Sequence, residues 1–453
     1  MIGQAHALVI GGGISGLVCA YALRKAGRDV LLVEASPRPG GVINTVRRDG
    51  YLLELGPQSF AGTAQLGSLC AELGIADELL EAPSRAPRYV LVDGKLQRVP
   101  LSPPAFFTTS LINGSTKWAL VRDIVGKSVP PEADESVAAF VRRKFSDQLL
   151  DRLVGPFVSG VFAGDPERLS IRSAFPALHE AEEAAGSIVR GMLRLAKRKK
   201  GTRERPTLNT FREGNETLVR ALANKLGSAI LTRTRAANLY RQNAGAYHIS
   251  VENGNNDSVA ARTVIFATPT DVSGKLLAQL DPSFESLLAP IEYAAVAVVS
   301  LGYAKKDVGH SLQGFGFLVP RSAGLRSLGT VWNSSLFPGR GPQGHALLTT
   351  FVGGATDPGA AKLNPEALSS LVHREIAPLL SIRNAPVFCN VTIWPRALPQ
   401  YNLGHGERLA SLNKKLARFP GLFLAGNYLR GPAIGACVEQ ALAVAEEVQG
   451  KSA

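Results

Sequence analysis

Residues 7–34, ALVIGGGISGLVCAYALRKAGRDVLLVE, constrain this chain more than any other stretch. Leu8, Val9 and Ile10 form a short apolar run suited to a parallel strand buried on both faces. Gly11, Gly13 and Gly16 then fill a G-x-G-x-x-G spacing within the run Gly11, Gly12, Gly13, Ile14, Ser15, Gly16. The first glycine permits a tight turn, the second lets a pyrophosphate approach the backbone, and the third lets helix and strand pack closely. Residues 17–26 follow as a helix whose N-terminus aims free N–H groups and positive dipole at phosphate. Leu31, Leu32 and Val33 supply the second strand. Glu34, roughly 20 residues past the glycines, stands where an acid accepts hydrogen bonds from an adenosine ribose. The pattern predicts a dinucleotide-binding βαβ unit. A signal-peptide reading of the same segment fails, because glycines interrupt its apolar run and no basic segment precedes it.

A chain of 453 residues exceeds one ordinary core, so two or three domains are expected. Its 45% apolar and 19% charged residues describe a folded protein and argue against disorder. No run reaches the ~20 apolar residues that a membrane span needs, so a soluble or membrane-surface protein is expected. Cys19, Cys70, Cys389 and Cys437 lie far apart without a C-x-x-C pair, which fits reduced thiols in a cytoplasmic setting. The 7 histidines show no metal-ligand spacing, so no metal site is expected. A net charge of +13 points to an anionic partner: nucleic acid, acidic lipid or a carboxylated substrate.

After Glu34 comes Arg38-Pro39-Gly40-Gly41, a second glycine pair of a kind that recurs in flavin oxidases and that a nicotinamide site does not need. Residues 51–55 read as a strand ending in Gly56-Pro57-Gln58-Ser59, either an ordinary turn or one that brings backbone N–H groups to a flavin edge. A helix is expected over 66–80, then a hairpin over 88–92 and 96–99 turned by Asp93-Gly94. Residues 100–206 read as helical, with 155–166 as a glycine-laced loop able to lie against a flat ligand. The densest basic cluster, 190–205, is either a solvated helix end or a contact for an anionic leaflet. A helix at 217–226 precedes strands at 229–232, 236–241, 246–251 and 263–268; the last is expected to rejoin the dinucleotide sheet. Strands at 294–303, 315–319, 328–332 and 346–352, with helices at 272–279 and 365–380, suit a substrate cap. Residues 421–448 read as strand, glycine turn and helix, a second helix N-terminus able to face the same ligand.

Together GGGISG with Glu34, RPGG with ELGPQSF, and FLAGNYLRGPAIGACVE resemble the amine-oxidase-type flavoproteins. Within them the chain resembles the protoporphyrinogen oxidase family, through PFVSGVFAGDPERLS (156–170), FREGNETL (211–218), GFGFLVP (314–320), TTFVGG (349–354) and WPRALPQYNLGH (394–405). These stretches span nearly the whole length in the family order. The resemblance implies an α/β fold in which a discontinuous Rossmann-type FAD-binding domain takes residues 1–80, 207–270 and 392–453. An α+β substrate domain would take 81–88 and 271–391, and a mostly helical membrane-associating domain 89–206.

By the same resemblance, noncovalent FAD contacts Gly11, Gly12, Gly13, Ile14, Ser15 and Gly16 at the pyrophosphate and Glu34 at the ribose. Arg38, Gly41, Val42, Gly56, Pro57, Gln58 and Ser59 follow it towards the flavin, Ala236 flanks the adenine, and Trp394, Pro432, Ala433 and Ile434 complete the cofactor set. Val42 replaces an arginine frequent in the wider group, and Gln58 sits at a variable position. The implied substrate is a porphyrinogen, held by Arg88 at a propionate, by Leu318, Val331 and Phe351 on its faces, and by the loop of Gly164. The implied reaction oxidises protoporphyrinogen IX to protoporphyrin IX with molecular oxygen as acceptor; oxidation of coproporphyrinogen III, or of an amine or carotene, stays open. No acid–base residues, metal or nucleic-acid partner are implied. A homodimer and peripheral contact with the inner face of the cell membrane are left open.

Overall fold

The computed structural model describes residues 3–198, 207–242, 245–253 and 257–451. At its centre β1 (Gly3–Ile10) pairs in parallel with β2 (Val30–Val33) on one side and with the strand Asp257–Phe266 on the other. The outer edge of that third strand takes Leu422–Leu424 in parallel and Tyr247–Glu252 antiparallel. One sheet therefore gathers strands from both ends of the chain and from its middle. Along β1, Ala7 and Val9 enter the core on one face, and Leu8 and Ile10 enter the core on the other. Period-2 alternation with apolar residues at every position is what a strand covered on both sides requires. Leu8, Val9 and Ile10 each contribute roughly 1.5–3 kcal/mol by leaving water. Helix α1 (Ile14–Lys25) and the C-terminal helix Ile434–Lys451 pack against each other on the Val9 side.

A second sheet of seven strands runs in the order Phe388–Pro399, Tyr293–Ala304, His345–Gly353, Ser327–Val331, Gly316–Leu318, Arg88–Val92 and Lys95–Arg98. One face packs on the helix Pro365–Leu380 through Leu301, Phe317, Trp332, Leu348 and Val372. The other face meets a helical unit formed by elements between Pro103–Thr108 and Ile188–Arg198. Among the described residues no helix is long and apolar enough to cross a membrane.

Several expectations need correction. The helix expected over 66–80 spans Ala64–Leu73, because Gly74 takes a left-handed cap (φ +73) and a strand, Leu79–Glu81, follows. The loop expected over 155–166 is mostly the helix Gly155–Phe162, which continues the helical turns Asp147–Leu149 and Leu150–Val154; Pro156 follows a widened turn in which the Gly155 N–H donates to the Leu150 carbonyl. The strand Phe388–Pro399 appears in no sequence expectation and crosses the expected boundary at 391/392. The expected boundary at 88/89 falls inside the strand Arg88–Val92, whose hairpin belongs to the second sheet. Of the basic cluster, residues 190–198 belong to the helix Ile188–Arg198, and residues 199–205 lie outside those described.

Candidate active site

The glycine turn owes its shape to close approach. Gly11 has φ +106, and a Cβ there would stand 2.6 Å from the Ala267 carbonyl oxygen. A Cβ on Gly16 would overlap the Gly11 carbonyl oxygen, so helix and strand touch backbone to backbone. Around Gly13 nothing lies within 4 Å of a built Cβ. Gly13 is also the N-cap of α1, without a side-chain cap and without an acid in the first turn. That leaves a helix N-terminus with free N–H groups facing open space, a cradle suited to phosphate. The Gly12 N–H donates to Glu34 Oε2 at 2.6 Å, and the Ser36 N–H donates to Oε1 at 2.7 Å. The Gly40 N–H donates to the Gly12 carbonyl at 2.7 Å, stacking the second glycine pair on the first. A Cβ on Gly41 would come within 3.5 Å of Gly13 Cα.

Arg38 is engaged with its own loop. Its guanidinium donates to the carbonyls of Pro39, Gly41 and Ile43 and lies 3.6 Å from Glu216, which holds its own loop in place. Backbone N–H groups of Arg233 and Thr234 donate to the carbonyls of Ser36 and Glu34, so the half-buried Ala236 follows directly beside the ribose acid.

From the far end of the chain, Pro432 and Ala433 lead into the helix Ile434–Lys451. Ile434 is buried, and the Cys437 thiol shares a hydrogen bond with buried Ser15 in the first turn of α1. Two helix N-termini therefore stand side by side at the glycine turn. This donor set, with the empty side of Gly13, fits the pyrophosphate of FAD.

The 56–59 turn is fixed from beneath. Gly56 presses on the Val42 carbonyl with no room for a Cβ, and Trp394 Nε1 donates to the Leu55 carbonyl at 2.6 Å. Gln58 is buried: its Nε2 donates to the carbonyls of Glu54 and Gly56, and its Oε1 accepts from Asn333 Nδ2 at 2.7 Å. Gln58 thus shapes the turn, and the half-buried Pro57 and Ser59 flank it. Sequence reasoning missed Glu54, Asn215 and Asn333 here; an acid inside the apolar run Tyr51-Leu52-Leu53-Glu54-Leu55 was the available signal.

Strand register assembles the other site residues. One row across the second sheet reads Thr392, Val298, Phe351, Gly329, Leu318, Val90. The next reads Asn390, Ser300, Thr349, Val331, Gly316, Arg88, and a third begins Trp394, Val296, Gly353. Directly opposed residues, and those two apart along a strand, share a face. Leu318, Val331, Phe351, Trp394 and Arg88 therefore lie on one face, the one turned to the helical unit. Arg88 is the single charged residue of these rows; it is exposed, with its guanidinium 5.6 Å from the Phe315 ring centroid. The helix Gly155–Phe162 roofs this face, and a Cβ on Gly160 would stand 2.5 Å from Leu318 Cδ2. Gly164 is buried just past that helix, where a Cβ would meet Gln400 Oε1 at 2.9 Å. No group of acids, histidines and cysteines able to hold a metal occurs among the described residues. The arrangement can clamp a dinucleotide at one side and seat a flat apolar molecule with an anionic rim at the other.

Known proteins resemble this chain over nearly its whole length. The chloroplastic protoporphyrinogen oxidase of Nicotiana tabacum is 35% identical over 472 residues, covering 99% of this chain and 86% of that protein. The coproporphyrinogen III oxidase of Bacillus subtilis is 29% identical, covering 98% of each. A solved structure from Exiguobacterium sp. 255-15 superposes with a TM-score of 0.81 at 25% identity, covering 100% of this chain and 99% of that one. Putrescine oxidase, at 18% identity and a TM-score of 0.72, shares the fold. The flavin containing amine oxidoreductase model matches residues 14–449, and the chain belongs to that family.

Proposed function

We propose that this chain oxidises a porphyrinogen to its porphyrin in tetrapyrrole synthesis, with protoporphyrinogen IX as leading substrate and molecular oxygen as terminal acceptor. The observation that carries the reading is the sheet face on which Leu318, Val331 and Phe351 form an apolar floor and Arg88 a cationic rim. Bound FAD supplies the hydride acceptor. The residues of the chain bind and orient: the glycine turn and two helix N-termini hold phosphate, and Trp394 braces the 56–59 turn. The apolar sheet face holds the macrocycle flat, and the helix Gly155–Phe162, packed on Leu318, bounds the slot on that side. Arg88 offers a bidentate partner to a propionate. The named substrates of the tobacco and Bacillus relatives supply the substrate class.

Coproporphyrinogen III, which carries four propionates where protoporphyrinogen carries two, is the second reading, favoured by the Bacillus likeness. A single cation in the three rows favours the substrate with fewer carboxylates. The test is an absorption spectrum of purified protein, then porphyrin fluorescence after adding each porphyrinogen. A flavin spectrum with faster porphyrin formation from protoporphyrinogen is expected. Colourless protein, or no porphyrin from either substrate, would overturn the proposal.

A further inference from the structure

Beneath the 56–59 turn lies a ring of buried polar groups that the reaction described above does not use. Glu54 ends the strand Tyr51–Glu54 and is 4% exposed. Thr45 Oγ1 donates to its Oε2 at 2.7 Å, and the Asn215 N–H donates to its Oε1 at 2.8 Å. Asn215 Nδ2 donates in turn to the Pro57 carbonyl at 2.7 Å, while its Oδ1 accepts from Thr210 Oγ1 at 2.9 Å. Thr210 Oγ1 accepts from Arg340 Nη2 at 2.8 Å. Arg340, 3% exposed, closes the ring: its Nη1 stands 3.9 Å from Glu54 Oε1 and has no hydrogen-bond partner.

Four chain segments meet here: the strand Thr45–Arg48, the flavin-side turn with Glu54, residues 210–215, and the loop between the helix Asn333–Leu336 and the strand His345–Gly353 of the substrate-side sheet. Gln58 extends the ring, joining the Glu54 carbonyl to Asn333. A buried charge that is only partly paired is an expensive feature. The charged groups facing Glu54 are Arg340 and Glu216; those facing Arg340 are Glu54, Arg47 and Glu213. Burial pushes the Glu54 carboxyl up to about 7, against the lowering by Thr45, Asn215 and Arg340, and Glu216 adds to the rise.

We propose that Glu54 and Arg340 are positioning residues for the cofactor: the ring they close ties the Pro57–Gln58 backbone to the substrate-side sheet, and its charge sets the properties of the flavin beside that turn. The inference rests on the flavin site of the reading above and is independent of which substrate is used. Gain or loss of one charge in a water-poor interior acts strongly on a neighbouring redox group.

The FAD-loaded protein is titrated across neutrality, recording the visible absorption and the midpoint potential of the bound flavin. Wild type should show a step near pH 7 in both, and Glu54→Gln should bind FAD without that step. A smooth wild-type titration, or a step that survives in Glu54→Gln, overturns the proposal. Should Glu54→Gln fail to fold, Thr45→Val, which removes one hydrogen bond to the carboxylate, must move the step to higher pH; an unmoved step overturns it equally. Porphyrinogen turnover does not enter these readouts, so failure here is distinguishable from failure of the substrate reading.

Discussion

The Cys19 thiol donates to the carbonyl of Ala441, a residue 422 positions further along the chain, at 3.3 Å. Burial pushes that thiol up to about 12, so it stays protonated as a donor and inert as a nucleophile. The contact locks α1 to the C-terminal helix, and with Ser15 beside Cys437 it sets two helix N-termini at one place. A discontinuous cofactor domain follows: neither end of the chain completes the phosphate cradle alone.

Gly13 and Gly16 should fail in different ways. Gly13→Val adds a side chain where nothing stands within 4 Å, at an ordinary φ of −66°, so the protein should fold with stability within about 1 kcal/mol of wild type. Its side chain would occupy the approach of the pyrophosphate, and the purified protein should be colourless. Gly16→Val, forced into the Gly11 carbonyl, should instead yield little folded protein. Flavin retained by Gly13→Val would refute the geometry.

Arg88→Ala should keep its flavin and lose affinity for porphyrinogen. Arg88 is exposed at the rim and makes no ion pair among those seen, so its removal leaves the core intact. A hydrogen bond to a charged group is worth roughly 1.5–3 kcal/mol, which predicts a rise in KM of about tenfold or more. An unchanged KM would remove Arg88 from the site.

The sequence was most informative where local pattern and tertiary demand coincide. The βαβ unit was legible because a doubly covered strand must be continuously apolar, and the glycines have local steric reasons. Strand existence in the second sheet was likewise legible, with ends off by about one residue for His345–Gly353 and Ser327–Val331. The helix Gly155–Phe162 was misread because its glycines signal a loop locally, whereas Gly160 is small for the sake of Leu318. The strand Phe388–Pro399 was hidden by Pro395, which is tolerated because this is an edge strand, paired only with Tyr293–Ala304. Of the ring around Glu54 and Arg340 only Glu54 left a local trace, an acid inside an apolar run; the pairing was illegible, since no local pattern reports that two charges far apart in sequence share one buried pocket.

Gly160→Ala tests the roof of the substrate face. The added methyl would stand 2.5 Å from Leu318 Cδ2, the tip of a flexible side chain, so Leu318 must swing towards the floor of the slot. The helix itself gains from alanine, by up to ~1 kcal/mol, which makes a large loss of stability unexpected. KM should rise. Equal KM for Gly160→Ala and wild type would mean that the substrate does not use this wedge.

The helical unit carries most of the large apolar side chains that remain exposed, among them Trp118, Val125, Val129, Phe157 and Leu193. The helix Ile188–Arg198 adds Arg190, Arg194 and Lys197 beside them. We propose peripheral docking on an anionic leaflet, where each basic residue near the surface is worth about 1 kcal/mol. Co-sedimentation with anionic vesicles should exceed that with neutral ones and fall in Lys197→Glu. Equal sedimentation with both vesicle types would count against it.

Acid should loosen the helical unit through Glu182, a carboxylate with no solvent exposure. Burial alone would push it up, but Arg143 donates two bonds at 2.8 and 2.9 Å, Ser128 donates one at 2.7 Å, and the charges of Arg143 and Lys144 add to them. Together they hold it down at about 2. The folded value lies below the unfolded one of about 4.3, so the stabilisation is complete above the unfolded value and is lost as pH falls towards the folded one. Urea unfolding should therefore weaken progressively between about pH 4.3 and about pH 2. Glu182→Gln should lack that part of the slope. At neutral pH it should be less stable by roughly 3 kcal/mol, the lower end for a broken buried pair. The lower end applies because Arg143 keeps Glu135 and Lys144 keeps Asp123 as partners. An acid slope equally steep in wild type and Glu182→Gln would place the titrating group elsewhere.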